Sequence, residues 1–269
     1  MTSHKGSITV VIPCYNSVNT IDRALDSVIK QSLLPEKVIL IDDCSSDSTL
    51  QKLYEISCSL DSFDLEIISL STNVGAAEAR NVALRVCSTK YVAFLDADDG
   101  WQYQKLELQY DWLERHSDVF LLAHSCVVHS ESFNEDKYSI QDFEKSVIPI
   151  SFKQLLFKTR FSTPSVMMRC DPQVLFSSSL RYAEDYEFWL RIASQRKVIH
   201  LANIPLGLLY KAEYGSGGLS SHMSKMQYGV MKVYYEVYKW NRISFAALLF
   251  FELFSILKFV RRLFILKFR

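Results

Sequence analysis

The chain has 269 residues, of which 49% are hydrophobic, so it can bury a substantial core and is not expected to be disordered. Thirty basic residues balance thirty acidic ones, and a net charge of zero provides no overall field that would attract nucleic acid. The six cysteines lack zinc or redox spacing, and the N-terminus lacks a signal-peptide pattern, which together predict reduced thiols in the cytoplasm.

The first hundred residues alternate short β-branched runs with amphipathic stretches of helix length. The predicted strands are 8–13, 37–42, 65–70 and 91–96, and the predicted helices between them are 18–31, 46–59 and 75–88. This alternation is typical of an α/β protein with a parallel sheet and crossover helices. Ligands of such sheets bind outside the carboxyl ends of the strands, where polar residues concentrate in this sequence.

The second half is less regular. Its predicted elements are a helix over 101–115, a strand over 118–129, a loop over 130–146, a strand over 161–169, a helix from Glu184 to Gln195, a strand over 197–202, a glycine-rich turn over 214–218 and a helix over 223–241. We find no internal repeat, so the sequence predicts one irregular α/β unit followed by C-terminal helices.

Residues 243–269 form an apolar, aromatic tail in which basic residues outnumber a single acid, Glu252. A helix that spans a bilayer needs about 20 mostly apolar residues, and Glu252, Lys258 and the Arg261-Arg262 pair interrupt the run. We therefore expect an amphipathic helix that lies in the membrane interface and holds the protein on the inner face of the cytoplasmic membrane. A core helix and an oligomer contact are the alternatives.

The sharpest chemical motif is Asp96-Ala97-Asp98-Asp99, directly after an apolar strand. Carboxylates this close repel one another unless a cation compensates them, and an all-oxygen ligand set favours Mg²⁺ or Mn²⁺. The alternative is a solvated acidic turn at the start of the next helix.

A second acidic pair, Asp42-Asp43, follows the neighbouring strand, with Asn73 and Arg80 on the segment between the two acidic motifs. Together they indicate a nucleotide site. The chain lacks the GxGxxG turn of dinucleotide-binding folds and the GxxxxGK[ST] loop of P-loop phosphotransferases.

The third motif is Ala183 to Arg191, AEDYEFWLR. Acidic residues are favoured in the first turn of a helix, so one interpretation is a charged helix start. The functional interpretation is that Asp185 takes the proton of an acceptor hydroxyl as general base.

Five ordered segments resemble the inverting glycosyltransferase family two, namely VVIPCYN, IDDCSSDST, NVGAAEARN, FLDADD and AEDYEFWLR. The resemblance covers roughly residues 7 to 222. It implies a type A glycosyltransferase fold, a Rossmann-like mixed sheet flanked by helices, with a nucleotide-sugar donor and a Mn²⁺ or Mg²⁺ cofactor. We therefore expect a catalytic domain over 1–222, with a nucleotide-sugar half over about 1–110 and an acceptor half over 111–222, followed by helices over 223–269 that the composition of the tail predicts to associate with the membrane.

The resemblance implies roles for individual residues. Contacts to the nucleotide and donor would come from Pro13, Tyr15, Asp42, Asp43, Asn73, Gly75, Arg80, Asp96, Asp99, Lys211 and Ser220. Asp98 would hold the metal with Asp96, Asp185 would be the base, and Glu184 would contact the acceptor. The segment 210–221 resembles the family's YRxHxxSxS element, with Lys211 in place of the usual arginine.

The resemblance also favours a hexose donor, UDP-glucose above others, and a β-linkage to a lipid-linked saccharide of bacterial O-antigen or capsule. The alternatives are a polyprenyl-phosphate glycosyltransferase, a nucleotidyltransferase that makes nucleotide sugars, and a non-catalytic nucleotide-binding module. A nucleotidyltransferase normally carries a basic, glycine-rich loop after its first strand, where this chain has PCYNSV.

Overall fold

The computed structural model describes residues 5–60, 62–128, 137–195, 197–210 and 222–267. Its first half confirms the predicted alternation of strands and helices. The elements are β1 (Lys5–Cys14), α1 (Ile21–Ile29), β2 (Leu34–Asp42), α2 (Thr49–Ser57), β3 (Asp64–Ser69), α3 (Ala76–Val86) and β4 (Tyr91–Phe94). These four strands pair in parallel, so their carboxyl ends lie at one edge of the sheet.

The second half adds five strands and the remaining helices. The elements are β5 (Gly100–Trp101), α4 (Lys105–Arg115), β6 (Val119–Val128), α5 (Ile140–Ser146), β7 (Val147–Ile150), α6 (Phe152–Phe157), β8 (Met167–Arg169), α7 (Glu184–Gln195), β9 (Lys197–Leu209), α8 (Met223–Lys239) and α9 (Phe245–Lys267). The bounds of α7 agree with the prediction residue for residue. The glycine-rich turn predicted over 214–218 lies outside the described residues.

Two sequence predictions in this half were wrong. The predicted loop over 130–146 contains helix α5, because the Ser139 side chain accepts a hydrogen bond from the Asp142 backbone N–H and Phe143 is fully buried. The predicted strand over 161–169 is mostly irregular, because a 3₁₀ turn that contains Pro164 precedes the short β8.

The strands form a mixed sheet in the order β3-β2-β1-β4-β8-β6-β9-β5, with β7 paired to β9. The side chains of β1 alternate between two hydrophobic clusters, with Val10 and Ile12 in one and Val11 in the other. Helices therefore cover both faces of the sheet, which gives three layers.

Helices α8 and α9 pack on the outer side of α7. Val233 and Tyr234 of α8 and Leu248 and Phe251 of α9 are buried in the same cluster as the α7 side chains. The Tyr234 and Phe251 rings stack with their centroids 5.4 Å apart. One face of α9 is therefore part of the protein core. This agrees in part with the alternative that the tail is a core helix.

The rest of α9 presents apolar side chains to solvent. Phe245, Leu253, Leu257 and Phe264 are each 59–60% exposed. In the described part of the chain, no helix combines the length and the apolarity needed to cross a bilayer. An exposed apolar surface this long is typical of a surface that has a partner.

Candidate active site

A cavity of 510 Å³ opens at the carboxyl ends of β1 and β4 and at the start of α7. Eight of the residues predicted for the site line it: Pro13, Tyr15, Asp43, Arg80, Asp96, Asp98, Glu184 and Asp185. Residues about 170 positions apart in the chain thus share one cavity. The fold therefore brings residues of all three acidic motifs, among them Asp43, Asp98 and Asp185, to one cavity.

A second cavity of 410 Å³ adjoins the first, since Tyr15, Asp43 and Glu184 line both. Asn73 and Gly75 lie in its wall, with Arg181 reaching within 3.5 Å of the Asn73 Oδ1 atom. The half-exposed Tyr15 side chain therefore lies where the two cavities adjoin.

Asp43 organises the wall between the cavities. Its two carboxylate oxygens accept hydrogen bonds from the backbone N–H groups of Val74 and Gly75, at 2.7 and 2.8 Å. Its carbonyl oxygen accepts a hydrogen bond from the Asn73 side chain at 3.1 Å. Gly75 has φ of 87°, a conformation that favours glycine. These bonds fix the loop before α3 against the end of β2.

Asp42 and Asp99 are placed differently from the other predicted side chains. Asp42 is 2% exposed and accepts a hydrogen bond from the Ser45 backbone N–H, which fixes the turn after β2. Asp99 is 8% exposed and accepts one from the Tyr210 backbone N–H. Neither is among the described residues that line the two cavities. Lys211 and Ser220 lie outside the described residues.

Arg80 joins α3 to the loop Asp96–Asp99 after β4, which we call the acidic loop. Its Nη2 atom donates to Asp96 Oδ1 at 2.5 Å, and the guanidinium is almost fully buried. The Asp96 side chain is one third exposed at the cavity, so the ion pair sets its direction while one side of the carboxylate faces the open space.

The acidic loop concentrates negative charge. Burial, together with the neighbouring carboxylates of Asp96 and Asp98, raises the pKa of Asp99 to about 8. A divalent cation would relieve this repulsion, and the oxygen-only donors of the loop suit Mg²⁺ or Mn²⁺. The residues present therefore fit such an ion.

Within the described ranges, no three His, Cys, Asp or Glu side chains converge closely enough to hold a metal by themselves. Mg²⁺ commonly binds through one or two carboxylates plus the phosphates of a substrate. The geometry of the loop suits that mode of binding.

Arg23 of α1 supports the loop from behind. Its Nη2 atom donates to the Asp98 carbonyl oxygen at 2.6 Å, and its guanidinium lies 3.7 Å from the centre of the Tyr210 ring. Arg23 therefore brings positive charge to the loop through a hydrogen bond to its backbone. Nothing in the sequence pattern of α1 distinguishes Arg23 from a surface arginine, so sequence reasoning missed it.

The third acidic motif begins α7. Ala183 has φ of 59°, a left-handed turn that leads the chain into the helix. Burial, followed by the adjacent Asp185 carboxylate, raises the pKa of Glu184 to about 7. Burial also raises the pKa of Asp185. A carboxylate with a raised pKa that faces a cavity is suited to proton transfer.

The rest of α7 holds this end in place. Glu187 accepts a hydrogen bond from Arg191 Nε at 2.9 Å, and Arg191 also donates to the Leu175 carbonyl oxygen. Trp189 is fully buried. Within AEDYEFWLR, Glu184 and Asp185 line the cavity, whereas Glu187 and Trp189 are buried in the core.

Two further cavity residues, Tyr182 and Met226, were also missed by sequence reasoning. Tyr182 lies outside every recognised motif, and Met226 belongs to a helix that is remote in sequence.

Comparison with known proteins agrees with this geometry. The model of glycosyl transferase family 2 matches residues 9–180, so the chain belongs to this family. It is a nucleotide-sugar-dependent glycosyltransferase, and its mixed sheet flanked by helices is the type A fold. The fold, family and enzyme class predicted from the sequence are confirmed.

Two named glycosyltransferases are similar to this chain. UDP-Glc:alpha-D-GlcNAc-diphosphoundecaprenol beta-1,3-glucosyltransferase WfgD of Escherichia coli is 29% identical over 193 residues, 71% of either chain. Putative teichuronic acid biosynthesis glycosyltransferase TuaG of Bacillus subtilis is 35% identical over 138 residues, 51% of this chain and 54% of TuaG.

Two solved structures share the fold. S. aureus TarS 1-349 in complex with UDP-GlcNAc has a TM-score of 0.65 at 23% identity, over 86% of this chain and 66% of that one. Mannosyltransferase PcManGT from Pyrobaculum calidifontis in complex with GDP-Man and Mn²⁺ has a TM-score of 0.64 at 18% identity, over 88% and 65%. The chain thus spans about two thirds of the length of these structures.

Proposed function

We propose that the protein is an inverting, divalent-metal-dependent hexosyltransferase that moves a sugar from a UDP-sugar to a hydroxyl of a lipid-linked saccharide. The observation that carries the proposal is the single cavity lined by Asp98 of the acidic loop and by Asp185 of α7. One displacement with one general base inverts the configuration of the anomeric carbon. Such a displacement needs a metal ion at the departing diphosphate, which Asp98 would hold, and a general base, which would be Asp185.

The nucleotide is assigned to the side of the cavities formed by the ends of β1, β2 and β3. Tyr15, beside Pro13, is half-exposed and offers its ring to the nucleobase. Asn73, Gly75 and Asp43 frame the adjoining cavity. Asp42, Asp99, Lys211 and Ser220 remain predicted donor-binding residues on the strength of the family resemblance.

We assign the metal to Asp98, with Asp96 beside it. A bound Mn²⁺ or Mg²⁺ would neutralise charge on the departing diphosphate as a Lewis acid. Arg80 orients Asp96, and Arg23 holds the Asp98 backbone. The relatives support this assignment in one respect, since PcManGT was solved with Mn²⁺.

Asp185 is assigned as the base that takes the proton of the acceptor hydroxyl, and Glu184 as a contact to the acceptor. Both lie at the start of α7 and line the cavity that Asp98 also lines. The proton passes from the hydroxyl to an Asp185 carboxylate oxygen as the new glycosidic bond forms and the bond to the diphosphate breaks.

The donor and acceptor are inferred from relatives. WfgD is named for transfer of glucose from UDP-glucose in a β-1,3-linkage to GlcNAc-diphosphoundecaprenol. We therefore take UDP-glucose as the donor and a diphosphate-lipid-linked saccharide of bacterial surface polysaccharide synthesis as the acceptor. TarS was solved with UDP-GlcNAc, which supports a UDP-sugar more generally.

A screen of nucleotide sugars tests the function. The purified protein is incubated with UDP-glucose, UDP-galactose, UDP-GlcNAc and GDP-mannose, and release of the nucleoside diphosphate is followed with Mn²⁺ and with EDTA. We expect Mn²⁺-dependent release of UDP from UDP-glucose at the highest rate. If no nucleotide sugar is cleaved under any condition, the proposed enzyme is rejected. If a nucleoside diphosphate is released from GDP-mannose alone, UDP-glucose is rejected as the donor.

Helices α8 and α9, within residues 223–269, are proposed as the membrane-associating part, with residues 1–222 as the catalytic domain. The exposed face of α9 combines Leu253, Leu257 and Phe264 with the basic Arg261. An apolar face beside basic residues matches the interface of an anionic bilayer, which supports a peripheral location on the inner face of the cytoplasmic membrane.

Vesicle binding tests this surface. The double variant Leu257→Gln/Phe264→Gln should bind vesicles of anionic phosphatidylglycerol at least about tenfold more weakly than the wild type, because it removes two apolar side chains from the contact. Tyr54→Gln, which alters a 51% exposed aromatic side chain on α2, is the control and should bind as the wild type does. Sedimentation with vesicles gives the readout, and equal binding by the double variant would contradict the assignment.

A further inference from the structure

We propose that Tyr182 and Met226 form the acceptor subsite, an apolar wall that takes one face of a pyranose ring of the acceptor saccharide. The inference deepens the proposed function and rests on it. Both side chains are partly exposed and line the cavity that contains Asp185. Neither belongs to the motifs that carry the family resemblance.

Their place in the fold separates them from the nucleotide side. Pro13, Tyr15 and Asp98 reach the cavity from the ends of β1 and β4. Tyr182 precedes α7 and Met226 lies in the first turns of α8. In a single displacement the acceptor hydroxyl must lie beside the base, and the base belongs to α7. The residues that reach the cavity together with α7 are therefore the ones available to hold the acceptor.

Gly229 sets the distance between α8 and Tyr182. A Cβ atom at Gly229 would lie 2.5 Å from the Tyr182 carbonyl oxygen, so any side chain there would push the helix away. Gly229 and Met226 are three residues apart and thus lie on the same face of α8. The close approach at Gly229 is what allows Met226 to reach the cavity.

The chemistry of the two side chains suits a sugar ring. A pyranose presents C–H groups on its faces and hydroxyls at its edge, so an aromatic ring and a flexible thioether can cover a face while polar groups bind the edge. Glu184 and Asp185 supply those polar groups in the same cavity. An apolar wall with a few convergent polar groups is the usual composition of a small-ligand site.

The same helix connects this wall to α9. Gln227 Nε2, the neighbour of Met226, donates to Ser255 Oγ of α9 at 2.8 Å. Tyr234 stacks on Phe251 one to two turns further along. One pair of helices thus carries both the proposed sugar wall and the exposed apolar face, which suits a saccharide carried on a lipid diphosphate.

Transfer kinetics with α-D-GlcNAc-diphosphate linked to a short alkyl chain test the inference. We expect Met226→Ala and Tyr182→Ala to raise the KM for this acceptor roughly tenfold or more, whereas Met226→Leu, which conserves volume, should keep a KM close to that of the wild type. The Kd for UDP with Mn²⁺, measured by calorimetry, should stay at the wild-type value in all three variants. Tyr103→Ala, an exposed tyrosine on the segment before α4, is the control.

An unchanged acceptor KM in both alanine variants would overturn the inference while the proposed function stands. The same holds if the wild type hydrolyses UDP-glucose but neither binds nor glycosylates this acceptor. A wild type that hydrolyses no nucleotide sugar would instead overturn the proposed function. Gly229→Ala gives independent evidence, since displacement of α8 should raise the acceptor KM and leave the Kd for UDP unchanged. A thermal melt shows that each variant is folded.

Discussion

Asp185→Asn is expected to bind UDP as the wild type does and to lose about 10²–10⁴-fold in kcat, the usual contribution of a general base. Asparagine keeps the size of the side chain and can still accept the hydrogen bond from the Tyr186 backbone N–H, so the start of α7 should be preserved. Only the capacity to take a proton is lost. Steady-state transfer and UDP calorimetry on the same preparation separate the two effects.

The pH dependence provides a second readout of the same assignment. A base must be deprotonated to act, and burial raises the pKa of Asp185 above the ordinary value for aspartate. The acidic limb of kcat/KM should therefore lie at a higher pH than for a solvent-exposed aspartate. Asp26→Asn, at an exposed position on α1, is the control and should keep the full rate and profile. An unchanged kcat in Asp185→Asn would reject Asp185 as the base.

Asp98→Asn is expected to reduce metal-supported transfer by about 10³-fold, because several kcal/mol of transition-state stabilisation depend on the bound ion. The Arg23 contact to this residue uses the backbone carbonyl, so the substitution leaves it in place. The variant should therefore fold and melt as the wild type does. Initial rates are measured over a range of Mn²⁺ concentrations. A full rate at saturating Mn²⁺ would contradict the assignment of the metal ion to Asp98.

Much of the nucleotide half could be predicted from sequence because each local signal agrees with the tertiary structure. The strands β1, β2 and β4 contain continuous apolar runs, since both faces of the sheet are covered there, whereas the edge strand β3 is only partly buried. The acidic motifs follow strand ends, and parallel strands bring such ends to one edge. The start of α7 was predicted because its motif begins where the helix begins.

The errors occur where tertiary contacts decide the local structure. Helix α5 exists because Ser139 caps it and Phe143 is buried under it, in a segment whose composition is that of a loop. The Asp42-Asp43 pair shows a related limit of a motif: Asp43 lines the cavity, whereas the Asp42 carboxylate accepts a hydrogen bond from the Ser45 backbone N–H. The motif locates such a pair but does not indicate which of its side chains faces the cavity.

Three residues at or behind the cavity could not be predicted from the sequence. Arg23, Tyr182 and Met226 come from three elements that are remote in sequence, and none stands in a motif. Their roles depend on the close approach of α8 at Gly229 and on the position of α1 behind the acidic loop. Such contacts between remote elements leave no periodic signal in a single sequence.

The central claim is that carboxylates from separate parts of the chain meet around one cation and one diphosphate. The most direct test is the electron paramagnetic resonance spectrum of Mn²⁺ with the wild-type protein, recorded with and without UDP. We expect UDP to convert free Mn²⁺ into a protein-bound form in the wild type and in Asp185→Asn, and we expect no protein-bound Mn²⁺ in Asp98→Asn. Equal Mn²⁺ binding by Asp98→Asn, or binding that UDP does not affect, would contradict this claim.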